Sequence, residues 1–262
     1  MIQCLRLQIQ QSLLATIKLI LGLCFCISLN AQKLDTNFYT DFEILLEEVY
    51  QENLTTSSKI FKLEESFDQL HLENNDSLRL RNQFKIVNRL RYLEVDSLYD
   101  DYVEQIYKNA KKTKDTFNII RSYNYKANQF ERYQKIDSAF YYYNNSTSLL
   151  QNYTHSFVEI DALVGKAKLY YLISDYNRSL DLVFKSLKIA ESNNLNSSYF
   201  DCINIVIEIY GEVNQIELAF EYYKYALKYF DELNFNQQKR YELQIAQIHN
   251  LLGSAYLKNE LF

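Results

Sequence analysis

The sequence predicts an all-α chain built as a solenoid of antiparallel helix pairs, and three observations carry that expectation. The first is its punctuation: 262 residues include four glycines and no proline, where ordinary usage would supply about a dozen prolines. Sheets need those residues at turn after turn, so their scarcity favours helices. The second is a repeat. IDSAFYYYNNS from Ile136, YNRSLDLVFKS from Tyr176 and IELAFEYYKYA from Ile216 align at a spacing of 40 residues. The third is a helical face before each segment, formed by Tyr123, Ala127 and Phe130, by Leu163, Ala167 and Tyr170, and by Ile203, Ile207 and Tyr210. Residues at i, i+4 and i+7 lie on one side of a helix.

Residues 1–31 read as a leader. Arg6 and Lys18 precede LILGLCFCISL, an apolar run from Leu19 to Leu29, and small Ala31 then precedes Gln32. Charge, apolar core and small-residue site, in that order, make a secretory signal peptide with cleavage after Ala31. A transmembrane anchor is the competing reading, but it needs about 20 apolar residues, and Lys18 interrupts the longer run from Leu13 to Leu29. A lipoprotein signal fits poorly, because Leu23 precedes Cys24 and Phe25 precedes Cys26. The expected location is outside the cytoplasm, in the periplasm or cell envelope, with membrane contact only through an uncleaved leader. Cleavage would remove Cys4, Cys24 and Cys26, leaving Cys202 without a disulfide partner in the chain.

Residues 32–75 form the next element, an N-terminal helical cap. FYTDFEILLEEVYQENL and SSKIFKLEESFDQLHLEN look like a helix pair without the repeat signature. Residues 76–262 hold the repeats. A degenerate unit comes first, with Gln83, Val87 and Leu90 followed by Tyr99, Val103 and Ile106. Three full units follow, with second helices marked by Ala139, Tyr143 and Ser146, by Ser179, Val183 and Ser186, and by Ala219, Tyr223 and Ala226. Small residues let helices approach closely while a large neighbour fills the groove beside them. Helix breaks are expected near Arg132 to Lys135, Ile173 to Tyr176 and Glu212 to Gln215. In the last element Tyr241, Ile245, Ile248, Leu252 and Tyr256 follow helical spacing, as in the first half of a further unit. Gly253 and Ala255 offer an empty seat for a following helix, and Leu261 and Phe262 are apolar where a terminal cap is usually polar. The chain is therefore expected to be the N-terminal part of a longer exported protein. A partner, or a homodimer through the open C-terminal end, is the alternative.

These units resemble the tetratricopeptide repeat (TPR) family, whose pattern runs W-x2-L-G-x2-Y, then A-x3-F, then P. The second helices match best, and Leu252, Gly253 and Tyr256 reproduce L-G-x2-Y. The chain departs from the pattern in lacking Trp and the terminal Pro, and in its longer period. The resemblance implies a right-handed superhelix of about three and a half units, and a groove lined by the first helices. Residues beside the core positions would face it: Arg81, Asn88, Arg121, Asn124, Asn128, Asp161, Lys168, Asp201, Asn204, Glu208 and Asn250. Asn124, Asn128, Asn204 and Asn250 would pair with the backbone of an extended peptide, and Arg81 and Arg121 would hold a carboxylate. The implied function is a protein-binding or peptide-binding scaffold, serving as the sensory or interaction region of a larger signalling or envelope protein.

Little in the sequence points to catalysis. A net charge of −5 and a pI near 5.4 argue against a nucleic-acid surface. The run Lys108 to Lys114 reads as a solvated helix end. His71, His155 and His249 show no metal-ligand spacing, and there is no phosphate loop or nucleophile motif. Acidic pairs such as Glu47-Glu48 and Asp100-Asp101 read as solvated helix faces, and Tyr141 to Tyr143 as core and interface. No cofactor, metal or catalytic residue is expected. The competing reading is an all-helical carbohydrate-binding protein or enzyme with an unrecognised site.

Overall fold

The computed structural model describes residues 36–51 and 54–260. The expected leader and its cleavage site, and the terminal Leu261 and Phe262, lie outside the described residues. Among those described there are eleven α-helices, one short 3-10 turn and no strand. The helices are α1 (Thr36–Glu48), α2 (Thr56–Gln69), α3 (Asp76–Tyr92), α4 (Asp96–Thr113), α5 (Thr116–Arg132) and α6 (Ile136–Leu150). They continue with α7 (Ser156–Leu172), α8 (Tyr176–Ser192), α9 (Asn196–Glu212), α10 (Ile216–Asp231) and α11 (Phe235–Glu260). The described chain is all-α, and within each of its two units consecutive helices pair antiparallel as a solenoid requires.

The three expected helix breaks fall where the 40-residue register puts them, at residues 133–135, 173–175 and 213–215. Each turns through one residue of positive φ: Gln134 at 57°, Ser174 at 61° and Asn214 at 58°. Glu94 does the same one period earlier, at 58°. The following N–H then bonds a carbonyl five residues back: Lys135 to Phe130, Asp175 to Tyr170 and Gln215 to Tyr210, each at 2.8 Å. This helix ending satisfies carbonyls that the last turn would otherwise orphan, and it is most often made with glycine. Here polar L-residues take the left-handed position, which is how the chain turns without glycine or proline. At the helix starts, Thr55, Asn75, Asp115 and Asp175 accept a bond from the backbone N–H three residues on.

The chain divides into two compact units, one up to Tyr102 and one from Val103 onward. In the first, α1, α2 and α3 pack around Phe42, Leu46, Leu63, Phe67, Leu80 and Phe84, all fully buried or nearly so. Phe67 stacks on Tyr102 with ring centres 3.6 Å apart. The end of α1 is held by two cations. Lys59 is buried and donates to the Val49 carbonyl at 3.0 Å and to that of Gln51, while Arg89 donates to the Leu46 carbonyl at 2.7 Å. Positive charge at a helix C-terminus complements its dipole.

In the second unit the pairs are α5 with α6, α7 with α8, and α9 with α10, and α11 packs on α9 and α10. The first helices α5, α7 and α9 also touch one another in sequence. Among the described residues the second helices make no comparable contact with each other, so the first helices form the more closely spaced layer. Eight of the nine signature residues, Ala139, Tyr143, Ser146, Ser179, Val183, Ser186, Ala219 and Ala226, are fully buried, whereas Tyr223 is half-buried and its hydroxyl pairs with the His249 ring on α11 at 2.9 Å. Tyr143 reaches furthest. Its hydroxyl donates to the Asn128 side chain on α5 at 2.6 Å, and its ring lies where a Cβ on Gly165 of α7 would stand, 2.1 Å from the phenol carbon. The aromatics expected to close each first helix are half-buried; Phe130 and Tyr210 stack on the second helix, on Tyr142 at 5.3 Å and on Tyr222 at 5.7 Å, whereas Tyr170 lies tilted against Phe140 of α6 at 5.0 Å, with the Arg178 guanidinium of α8 over its ring. The expected empty seat on α11 needs correction in part. Ala255 is buried, its Cβ 2.9 Å from where one on Gly211 would lie, so it packs on α9. A Cβ on Gly253 would meet nothing within 4 Å, so that part of the seat is open.

Candidate binding face

The first helices present two polar rows that share the 40-residue register. One runs Arg121, Asp161, Asp201, and the other, seven residues on, runs Asn128, Lys168, Glu208. Seven residues is close to two helical turns, so both rows lie on one side of α5, α7 and α9. Arg81 and Asn88 hold the same register on α3 but belong to the first unit, where Arg81 is exposed and Asn88 half-buried.

Four of the expected residues are electrostatic neighbours. Partial burial pushes the Asp201 carboxyl above its usual range; Lys168 opposes the shift and Asp161 adds to it. Glu208 is raised in the same way, by burial first, against Lys168 and with Glu212. The Asp201 side chain is nonetheless open to solvent. The two facts fit a carboxylate whose tip meets water while helices on either side displace the surrounding solvent. Lys168 is exposed between them as the shared countercharge. Tyr171 on α7 borders the same group, its phenol pushed up to about 12 by burial and by Glu208 and Glu212. At the α5 end the Arg121 guanidinium lies over the rings of Tyr125 and Phe157, at 5.6 and 5.9 Å.

The asparagines expected to form a ladder do different work. Asn124 is fully buried, and its amide nitrogen donates to the Val158 carbonyl and to the Asp161 carboxylate, both at 3.1 Å. It ties α5 to α7. Asn128 is committed to Tyr143. Asn204 is half-buried on α9, and among the described residues its side-chain oxygen has no hydrogen-bond donor. Asn250 is exposed, but on α11. The face is therefore ionic, with Asp161, Lys168, Asp201 and Glu208 at its centre. Tyr171 and Glu212 were not selected from the sequence. They stand three and four residues beyond Lys168 and Glu208, and only the packing of α7 on α9 brings them in.

Cys202, beside this face, is buried, and burial pushes its thiol up to about 12, Asp201 adding to the shift and Lys168 opposing it. A thiol so placed is not activated as a nucleophile. Among the described residues no three His, Cys, Asp or Glu side chains are grouped to hold a metal, and no helix is long and apolar enough to cross a membrane.

No family model matches the chain, and no curated protein matches it. In fold it is similar to BtubC (BKLC) from P. vanneervenii, with a TM-score of 0.61 at 11% identity, over 80% of this chain and 88% of that one. At that identity the likeness concerns fold alone.

Proposed function

We propose that the chain is a TPR-type interaction scaffold working outside the cytoplasm, whose first-helix face binds an extended, basic segment of another protein. One observation carries this reading. Three carboxylates at repeat positions on neighbouring first helices, Asp161, Asp201 and Glu208, share one lysine, Lys168, and the Asp201 and Glu208 carboxyls are both held above their usual range, an arrangement that costs stability. Perturbed ionisable groups of this kind cluster where binding is done. A lysine or arginine side chain arriving between them would restore the missing countercharge, and Lys168 leaves that need half met. The leader supports the extracytoplasmic setting, and the sensory or interaction region of a larger signalling or envelope protein is the role we infer for it.

The test is selection from a displayed library of random peptides on the parent protein and on an Asp201→Lys/Glu208→Lys variant. Peptides rich in Lys or Arg should be enriched on the parent and lost on the variant, with the melting temperature of the variant no lower than the parent's. Enrichment of peptides without basic residues, or equal selection on both proteins, would overturn the reading.

A further inference from the structure

In the first unit α1 and α2 leave a cavity of about 380 Å³ between them, toward the small end of the roughly 300–1,000 Å³ that small-molecule sites occupy. Its two walls differ. Phe38, Phe42 and Leu45, at i, i+4 and i+7 on one side of α1, form the apolar one. The rings of Phe38 and Phe42 stack there with centres 5.9 Å apart. Glu65, Ser66 and Gln69 of α2 form the polar one. Both ends are tied across. Lys62 of α2 pairs with Glu48 of α1 at 3.5 Å, and both line the cavity. Beyond the other end the Tyr39 hydroxyl donates to the Glu73 carboxylate, joining the first turn of α1 to the segment after α2. A peptide chain therefore cannot run through, and the space suits a small molecule.

Charge and hydrogen bonding select the molecule. Three carboxylates, Asp41, Glu48 and Glu65, line the cavity with one cation, Lys62, and Lys62 is engaged by Glu48. Glu65 accepts a bond from the Gln69 amide at 3.5 Å, and among the described residues no cation pairs with Asp41. Ser66 is nine-tenths buried and lines the cavity, yet among the described residues its hydroxyl has no hydrogen-bond partner. We propose that this cavity binds a small organic amine, its apolar body against Phe38 and Phe42 and its ammonium between Asp41, Glu65 and Ser66. An ammonium carries three donors and no acceptor, and those three side chains offer it one acceptor group each. An anionic ligand would add to the uncompensated negative charge. An uncharged one would leave both carboxylates without a countercharge. Nothing in this site draws on the ionic face of the second unit, so either can hold without the other.

The test uses the full chain as the cell processes it, with phenethylamine as the probe and calorimetry at neutral pH as the readout. The amine should bind with a dissociation constant below about 1 mM. Phenylpropionate, of similar shape and opposite charge, and uncharged phenylethanol should bind at least about tenfold more weakly. An Asp41→Asn/Glu65→Gln variant should lose about tenfold or more in affinity for the amine. Its melting temperature should match the parent's, since both carboxylates are exposed. Ser66→Ala should weaken the amine by about tenfold. No binding of the amine overturns the proposal, as does equal binding of phenylpropionate. A lysine-containing peptide that binds at Asp41 and Glu65 where the free amine does not would overturn it too. So would amine binding that the Asp41→Asn/Glu65→Gln change leaves intact and an Asp201→Lys/Glu208→Lys change abolishes, which would put the amine on the ionic face.

Discussion

Among single residues, the left-handed turn positions give the most direct test of the helix endings. An L-residue there carries about 1–2 kcal/mol of strain that glycine does not, set against about 0.5–1 kcal/mol for glycine's greater freedom in the unfolded chain. Ser174→Gly should therefore raise the stability measured by urea unfolding by a few tenths to about 1 kcal/mol. Ser174→Val should lower it, because β-branching is poorly tolerated at positive φ. At Gly165 the sign is reversed. A methyl group there must displace the Tyr143 ring, so Gly165→Ala should cost about 1–3 kcal/mol by overpacking. The same substitution at Gly253 meets open space and should be neutral or slightly stabilising. Equal effects at the two glycines would show that Tyr143 does not fill the space the structure gives it.

Helix α9 brings the electrostatics together, and the signs can be worked out. Asp201 and Glu208 are raised in the folded state, so the fold takes up their protons more readily than the unfolded chain does. Stability should then fall as pH rises through the carboxylate range and recover as pH falls. Asp201→Asn should melt at a higher temperature than the parent at pH 7, with the gap closing toward pH 4. Glu104 on α4 behaves oppositely. Burial alone would raise it, but Lys126 at 2.6 Å and Lys108 outweigh that and hold it below its usual range. Its contribution is present above the ordinary carboxylate range and is lost as pH falls through its folded value, so Glu104→Gln should be destabilising at pH 7. Melting curves of both variants across pH 4 to 7 would check the two signs together; a gap for Asp201→Asn that widens toward pH 4 would show that its carboxyl is not raised. The repeat register makes a third claim at this scale. Ala219 is fully buried between helices, so Ala219→Leu should cost about 1–3 kcal/mol.

At the scale of the whole chain, the repeat was legible because it is written in side-chain size. Ala and Ser at the close contacts, with Tyr143 and Val183 between them, are dictated by how near two helices can come, and the 40-residue spacing followed. The turns were legible in position but not in mechanism, since nothing in Gln134, Ser174 or Asn214 announces a left-handed residue as glycine would. The binding face was legible as positions and not as chemistry. Asn124 and Asn128 sit at offsets that face the groove in the repeat family the sequence resembles. Here a neighbouring carbonyl and a tyrosine hydroxyl claim them, and such long-range partners are set by packing rather than by local sequence.

The ionic face is most directly tested by the affinity of one library-selected basic peptide, followed by calorimetry from low to high salt on the parent and on an Asp201→Asn/Glu208→Gln variant. Contacts between ionised groups are screened within about 10 Å at 0.1 M salt. The expected result is binding that weakens steadily with salt on the parent, and that is about tenfold weaker and nearly salt-independent on the variant. Affinity that is indifferent to salt and unchanged by the two substitutions would contradict a binding face built on Asp201 and Glu208.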